Sequence, residues 1–138
     1  MRKIITRVLV IALFFFFIIP LFLKFESKYS SGEKVEGFEI RGEFIDIKGY
    51  KTYVERYNED GDRVITFIHG FGGSTHNWRN NIEYFVQEGF EVLVVDLKGF
   101  GLSQKGIDFD YSHSAQSELI RDLFEYYGIE KSVLVGHS

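Results

Sequence analysis

Three short apolar runs do most to limit what this chain can become: Val64 to Ile68, Val92 to Val95, and Val133 to Val135. Each is a nearly continuous series of β-branched and aliphatic residues, the pattern of parallel strands covered on both faces. Helical patterns separate them. The first is expected from about Thr75 to Glu88, with Ser74 as N-cap, Trp78, Ile82, Phe85 and Val86 on one face, and Gly89 past its end. The second is expected from about His113 to Tyr127, capped by Ser112, with Leu119, Ile120, Leu123 and Phe124 turned inward and Gly128 closing it. Strand, helix and strand repeated in this order call for right-handed crossovers into a parallel sheet. Upstream, Glu43 to Ile47 and Lys51 to Tyr57 alternate apolar and polar residues around Gly49 and Tyr50, as a half-exposed antiparallel hairpin does. Asn58 to Asp62 reads as the turn that follows. The expected architecture is therefore α/β, an antiparallel hairpin followed by βαβαβ.

The first 24 residues belong to a different regime. Arg2, Lys3 and Arg7 are followed by an almost wholly apolar run ending at Leu23, and Ile4 to Leu23 supplies roughly the 20 residues needed to cross a hydrocarbon core. Lys24, Phe25 and Glu26 come next, where a cleavable leader would carry small residues, so residues 1–24 are expected to be an uncleaved membrane anchor rather than a signal peptide. The basic residues precede the run, which places the N-terminus inside and the remainder, a single-pass extracytoplasmic domain, outside. Cleavage of the leader would instead release a secreted domain. Ser30, Ser31, Gly32 and Gly37 make residues 25–41 a linker, and the domain is expected over residues 42–138.

Charge and composition narrow the function. The chain holds 16 basic and 20 acidic residues, and three of the basic ones lie before or within the apolar run, so the soluble part is acidic and nucleic acid is excluded as a partner. Cysteine is absent, which removes disulfides and thiolate metal sites. No other residue spacing suits a metal, and no cofactor is expected. Gly70 to Ser74 lacks the Lys-Ser/Thr of a phosphate-binding loop, and Gly99-Phe-Gly101 lacks the third glycine of a dinucleotide fingerprint.

In parallel sheets, ligands gather beyond the carboxyl ends of the strands. Those ends hold the unusual residues: His69, Gly70, Phe71, Gly72, Gly73 and Ser74 after the first parallel strand; Asp96 to Ser103 in the pattern DxxGxGxS after the second; and Gly136, His137 and Ser138 after the third. This ordered set, each part following a strand, resembles the first half of an α/β-hydrolase across roughly Phe44 to Ser138. The resemblance implies a serine hydrolase of the esterase or lipase kind, acting on a small-molecule acyl substrate. Ser138 matches the nucleophile of GxSxG, on a sharp strand-to-helix turn where small neighbours such as Gly136 let the backbone expose Oγ. Family members that open epoxides or displace halide carry aspartate there, so Ser138 points to an acyl-enzyme.

By the same resemblance, the main-chain N–H of Phe71 is one oxyanion donor, paired with the N–H of the residue after Ser138. His69 stabilises its loop through local hydrogen bonds, Asp96 orders the loop containing Gly99, Gly101 and Ser103, and His137 points away from the nucleophile across the elbow. His76 and His113 are expected to face solvent. None of the four histidines is then the base, and the acid and base of the triad lie beyond residue 138. The 138 residues are accordingly expected to be a truncated, inactive piece of the fold, with Val133 to Val135 as an exposed apolar edge. An acyltransferase, a carbon–carbon bond hydrolase or a perhydrolase fits the same motifs. A non-catalytic membrane-anchored protein that binds a partner through its open edge is the alternative of another class.

Overall fold

A computed structural model describes Phe14, Phe15 and residues 40–137. Five strands form one mixed sheet in the order β1-β2-β4-β3-β5: β1 Glu43–Ile47, β2 Tyr50–Tyr57, β3 Arg63–Ile68, β4 Phe90–Val95 and β5 Ser132–Gly136. The three apolar runs pair in parallel, Ile65 opposite both Val92 and Val133, and Phe67 opposite both Val94 and Val135. The hairpin joins them antiparallel through β2 and β4, with Val54 opposite Val95.

The hairpin turn differs from expectation by one residue. Ile47 pairs with Tyr50, leaving Lys48 and Gly49 as the two-residue loop. Both have positive φ, 53° and 83°, the geometry whose twist matches that of the flanking strands. Lysine accepts it here because Asp46 Oδ1 takes the Gly49 N–H at 2.7 Å, fixing the turn with a local side-chain bond.

The connections around β3 and β4 leave for opposite sides of the sheet. After β3 comes a 3₁₀ turn, Thr75–Trp78, and a short helix α1, Ile82–Gln87. Ile82 is buried with Ile65, Phe67, Val92 and Val94, while Trp78, Phe85 and Val86 pack around them. After β4 comes α2, His113–Tyr127, whose Leu119, Ile120 and Leu123 join Ile45, Val54, Leu93 and Val95 on the other face. Alternate residues of β4 thus feed two cores, and Val92 to Val95 are all fully buried. Each such side chain contributes roughly 1.5–3 kcal/mol by leaving water.

The expected single helix from Thr75 to Glu88 is broken. Asn81 N–H bonds Trp78 C=O at 2.8 Å, three residues back, and Asn77 Oδ1 accepts the Ser74 N–H at 3.2 Å. The side chain that competes for the backbone here is that of Asn77, through its bond to the Ser74 N–H, while Asn81, which precedes α1, makes no side-chain capping bond. By contrast α2 has its expected bounds. Ser112 Oγ accepts the Ala115 N–H at 3.2 Å, and Gly128 ends the helix with φ 68°.

Among the described residues no helix is long and apolar enough to cross a membrane. The expected anchor over residues 1–24 lies outside the described residues apart from Phe14 and Phe15, which are helical. The expected linker lies outside them up to residue 39. No described strand pairs with the outer edge of β5, where Val133 and Leu134 are about half exposed.

Candidate active site

The sheet brings the three motifs to one end. Ile68 pairs with Val95 on one side and Gly136 on the other, so the chain leaves β3, β4 and β5 at the same level. His137 N–H donates to Ile68 C=O at 3.1 Å, extending the β5 ladder by one residue. Ser138 lies outside the described residues. A Cβ on Gly136 would meet nothing within 4 Å, so no described neighbour requires glycine at that position. The His137 ring is exposed and stands edge-on to Trp78, 6.4 Å between centroids. Trp78 Nε1 is buried without a hydrogen-bond partner among the described residues.

After β3, the loop closes a four-residue turn in which Gly73 N–H bonds Gly70 C=O at 3.0 Å. Gly72, at the third position, has φ 72°, a conformation that glycine adopts without the penalty a Cβ would bring. Phe71 sits at the tip. Its ring is 96 % exposed and meets Phe100 edge to face at 5.7 Å. Its N–H donates to no acceptor among the described residues.

His69 and Asp96 stand behind this turn, both buried. His69 Nδ1 lies 2.8 Å from Gly70 C=O, and its Nε2 accepts the N–H of Leu97, in the other loop, at 3.0 Å. Asp96 Oδ1 accepts the Thr75 N–H of the first loop at 2.6 Å, and Oδ2 accepts the Leu102 N–H of its own loop at 2.6 Å. Burial raises the Asp96 carboxyl above its usual range, opposed by those two N–H bonds and by the nearby His69. A Cβ on Gly101 would fall 1.9 Å from Asp96 Oδ2. Only glycine lets this loop wrap the carboxylate so closely.

Hydrogen bonds to β2 complete the frame. Ser103 Oγ donates to Asp96 C=O at 2.6 Å and accepts the Tyr53 N–H at 2.9 Å. Tyr50 Oη accepts the Gly99 N–H at 2.8 Å and donates to Gln104 C=O. Burial pushes the Tyr50 phenol up to about 12. Gln104 in turn exchanges bonds with Lys51, its N–H to the Lys51 carbonyl at 2.9 Å and its Oε1 from the Lys51 N–H at 3.0 Å. Tyr50, Thr75 and Gln104 were not distinguishable in the sequence as parts of this frame. Tyr50 reads as part of the hairpin turn in the sequence, and its hydroxyl bonds a residue 54 positions away.

His76 and His113 are exposed, on the 3₁₀ turn and at the start of α2. Asp108 and Asp110 lie on the exposed part of the loop between β4 and α2. Among the described residues no group of three His, Asp or Glu side chains is placed to hold a metal ion.

Comparison with known proteins agrees on the fold. Residues 63–138, more than half of the chain, match the family model described as alpha/beta hydrolase fold. Protein ABHD8 of Homo sapiens is 40 % identical over 78 residues, covering 56 % of this chain and 18 % of that protein. Lipase 1 of Psychrobacter immobilis is 33 % identical over 85 residues, 62 % of this chain and 26 % of that one. The crystal structure of a predicted CIB-like hydrolase from Thermoplasma acidophilum superposes with a TM-score of 0.64 at 25 % identity, covering 74 % of this chain and 52 % of the other. The chain therefore spans about a fifth to a half of the length of these relatives. Its mixed sheet, the order of its loops and the matched residues place it in the alpha/beta hydrolase fold family.

Proposed function

We propose that this chain carries the nucleophile-bearing part of a serine hydrolase that cleaves an ester or related acyl bond. The observation that supports this reading best is the turn at Phe71: an N–H without a described acceptor, at the carboxyl end of β3, beside the strand that leads to Ser138. A donor held in place before charge develops stabilises an oxyanion without reorganisation, and removing one such donor costs about 3–4 kcal/mol in other hydrolases. Ser138 attacks the acyl carbon and forms the acyl-enzyme, and Phe71 N–H and the N–H after Ser138 receive the oxygen charge. His69 is unsuited to be the base, because both of its ring nitrogens are engaged in the loops. The base and acid come from chain outside the described residues, and residues 1–138 by themselves turn over no ester.

Relatives of this chain include Epoxide hydrolase 1 of Caenorhabditis elegans, 29 % identical over 115 residues. Serine at position 138 favours acyl transfer over epoxide opening, which uses an aspartate at the elbow. Residues 1–24 act as a membrane anchor and residues 25–41 as a spacer in this reading, on the strength of their hydropathy. Fluorophosphonate labelling of the native membrane protein, read by peptide mass spectrometry, tests the assignment. The adduct is expected on Ser138 and absent in Ser138→Ala. A labelled serine elsewhere, or none in a protein that hydrolyses esters, refutes it. Alkaline carbonate extraction tests the anchor, which is expected to keep the protein in the membrane pellet.

A further inference from the structure

Two large apolar side chains stand almost wholly in water: Phe71 is 96 % exposed and Ile107 92 %, while every other exposed large apolar residue among those described is at 61 % or less. Scattered exposed apolar residues are ordinary on a protein surface. These two are held out on loop tips at the carboxyl end of the sheet, where the chain leaves β3 and β4 side by side. The turn below Phe71 is closed by the Gly73 N–H on Gly70 C=O. The loop below Ile107 is closed by Tyr111, whose Oη accepts the Gly106 N–H at 2.8 Å and donates to Gly106 C=O at 2.6 Å. Phe109 folds inward against Tyr50, ring centroids 5.1 Å apart, so this loop tucks in its phenylalanine and leaves its isoleucine outside. Aromatic rings join the two tips. Phe71 meets Phe100 at 5.7 Å, and the Tyr111 ring lies 2.8 Å from where a Cβ on the next residue, Gly99, would stand.

We propose that this row, from Phe71 through Phe100 and Tyr111 to Ile107, rests on the lipid surface that holds residues 1–24, a proposal that depends on the reading of those residues as an anchor. The spacer of residues 25–41 leaves the domain free to turn. Fully extended, its 17 residues span about 56 Å, against a diameter of about 35 Å for a domain of this size. Either end of the sheet can therefore reach the bilayer, and the end with the exposed apolar tips is the one that gains by leaving water. Two such side chains bind lipid weakly by themselves, but the tether makes the contact intramolecular and raises its effective concentration. Charge gives no further attraction, because on the loop after β4, outside the buried Asp96, Lys98 and Lys105 are matched by Asp108 and Asp110. A neutral bilayer therefore suffices. Docked in this way, the turn at Phe71 opens at the lipid surface rather than into bulk water.

The chain has no cysteine, so single cysteines in the full 138-residue chain carry a polarity-sensitive dye at chosen places. Ile107→Cys and Phe71→Cys put it at the two tips. Tyr126→Cys puts it at the exposed end of α2, shortly before β5 begins at the opposite end of the sheet. Each chain is reconstituted in phosphatidylcholine vesicles, floated on a density gradient, and its emission compared with and without a quencher on the upper acyl chain. The dyes at 107 and 71 are expected to lose about half of their emission or more, as groups at the headgroup boundary do, and the dye at 126 to lose none. Adding Phe71→Ser to the Ile107→Cys chain is expected to reduce the quenching about twofold. Three results overturn the docking and leave the anchor standing: chains that float with the tip dyes unquenched, with all three dyes quenched alike as in an unfolded chain, or with quenching unchanged by Phe71→Ser. Chains that do not float overturn both.

Discussion

At Gly101 a single hydrogen atom decides whether the loop after β4 can close. Its φ of 49° and the 1.9 Å between a would-be Cβ and Asp96 Oδ2 act together. Gly101→Ala is expected to destabilise the fold by about 2–4 kcal/mol, combining left-handed backbone strain with displacement of a buried carboxylate. Urea denaturation measures it, and a change under 1 kcal/mol would show that the loop relaxes freely. A second aspartate gives a pH signature. Asp122 is held below the usual carboxylate range, mainly by Lys48 Nζ at 2.8 Å, against the opposing effect of desolvation, with Arg121 adding to Lys48. The native state therefore binds fewer protons at this site than the unfolded state. Its contribution is complete above the ordinary value of roughly 3.9 and is lost as pH falls through the depressed one. The stability difference between wild type and Asp122→Asn should shrink only below roughly pH 4, and a constant difference from neutral to strongly acid pH would refute the pairing. The identities of His69 and Asp96 were legible in the sequence as loop residues. That each accepts an amide from the other's loop was not, because it depends on two strands separated by a helix lying side by side.

The helices show how far periodicity carries at the level of elements. α2 follows from its sequence at both ends, since an oxygen-bearing cap, a regular apolar stripe and a terminal glycine all agree. Leu123, fully buried between α2 and the sheet, is expected to cost about 2–5 kcal/mol when cut to alanine. Ser112→Ala should cost about 1 kcal/mol through its lost cap. Thermal melts of the two variants, compared with exposed Ser114→Ala, check both values and their order. The segment after β3 was less legible. Its apolar residues Trp78, Ile82, Phe85 and Val86 do face one core, yet the backbone turns between Trp78 and Ile82 instead of joining them into one helix. Periodicity reports the face that is buried, and does not say whether the backbone stays helical throughout.

The order of strands could not be read from the chain. Apolar runs identify β3, β4 and β5 as parallel strands, but the sequence does not say that β4 lies between the hairpin and β3, a placement set by long-range register. The outer edge of β5 has Val133 and Leu134 exposed on opposite faces. Such an edge pairs readily with another chain. Leu134→Lys is expected to raise the concentration at which the 138-residue chain stays monomeric, as read by sedimentation, and an unchanged value would show that this edge is not where association begins. The placement of β4 has a further consequence for a chain made from its N-terminus. The hairpin of β1 and β2 can close as soon as it is synthesised, but β3, made next, pairs with neither of its strands. Among the described strands no backbone ladder can link the two pieces before Phe90–Val95 has been made, so the sheet is joined through one six-residue strand.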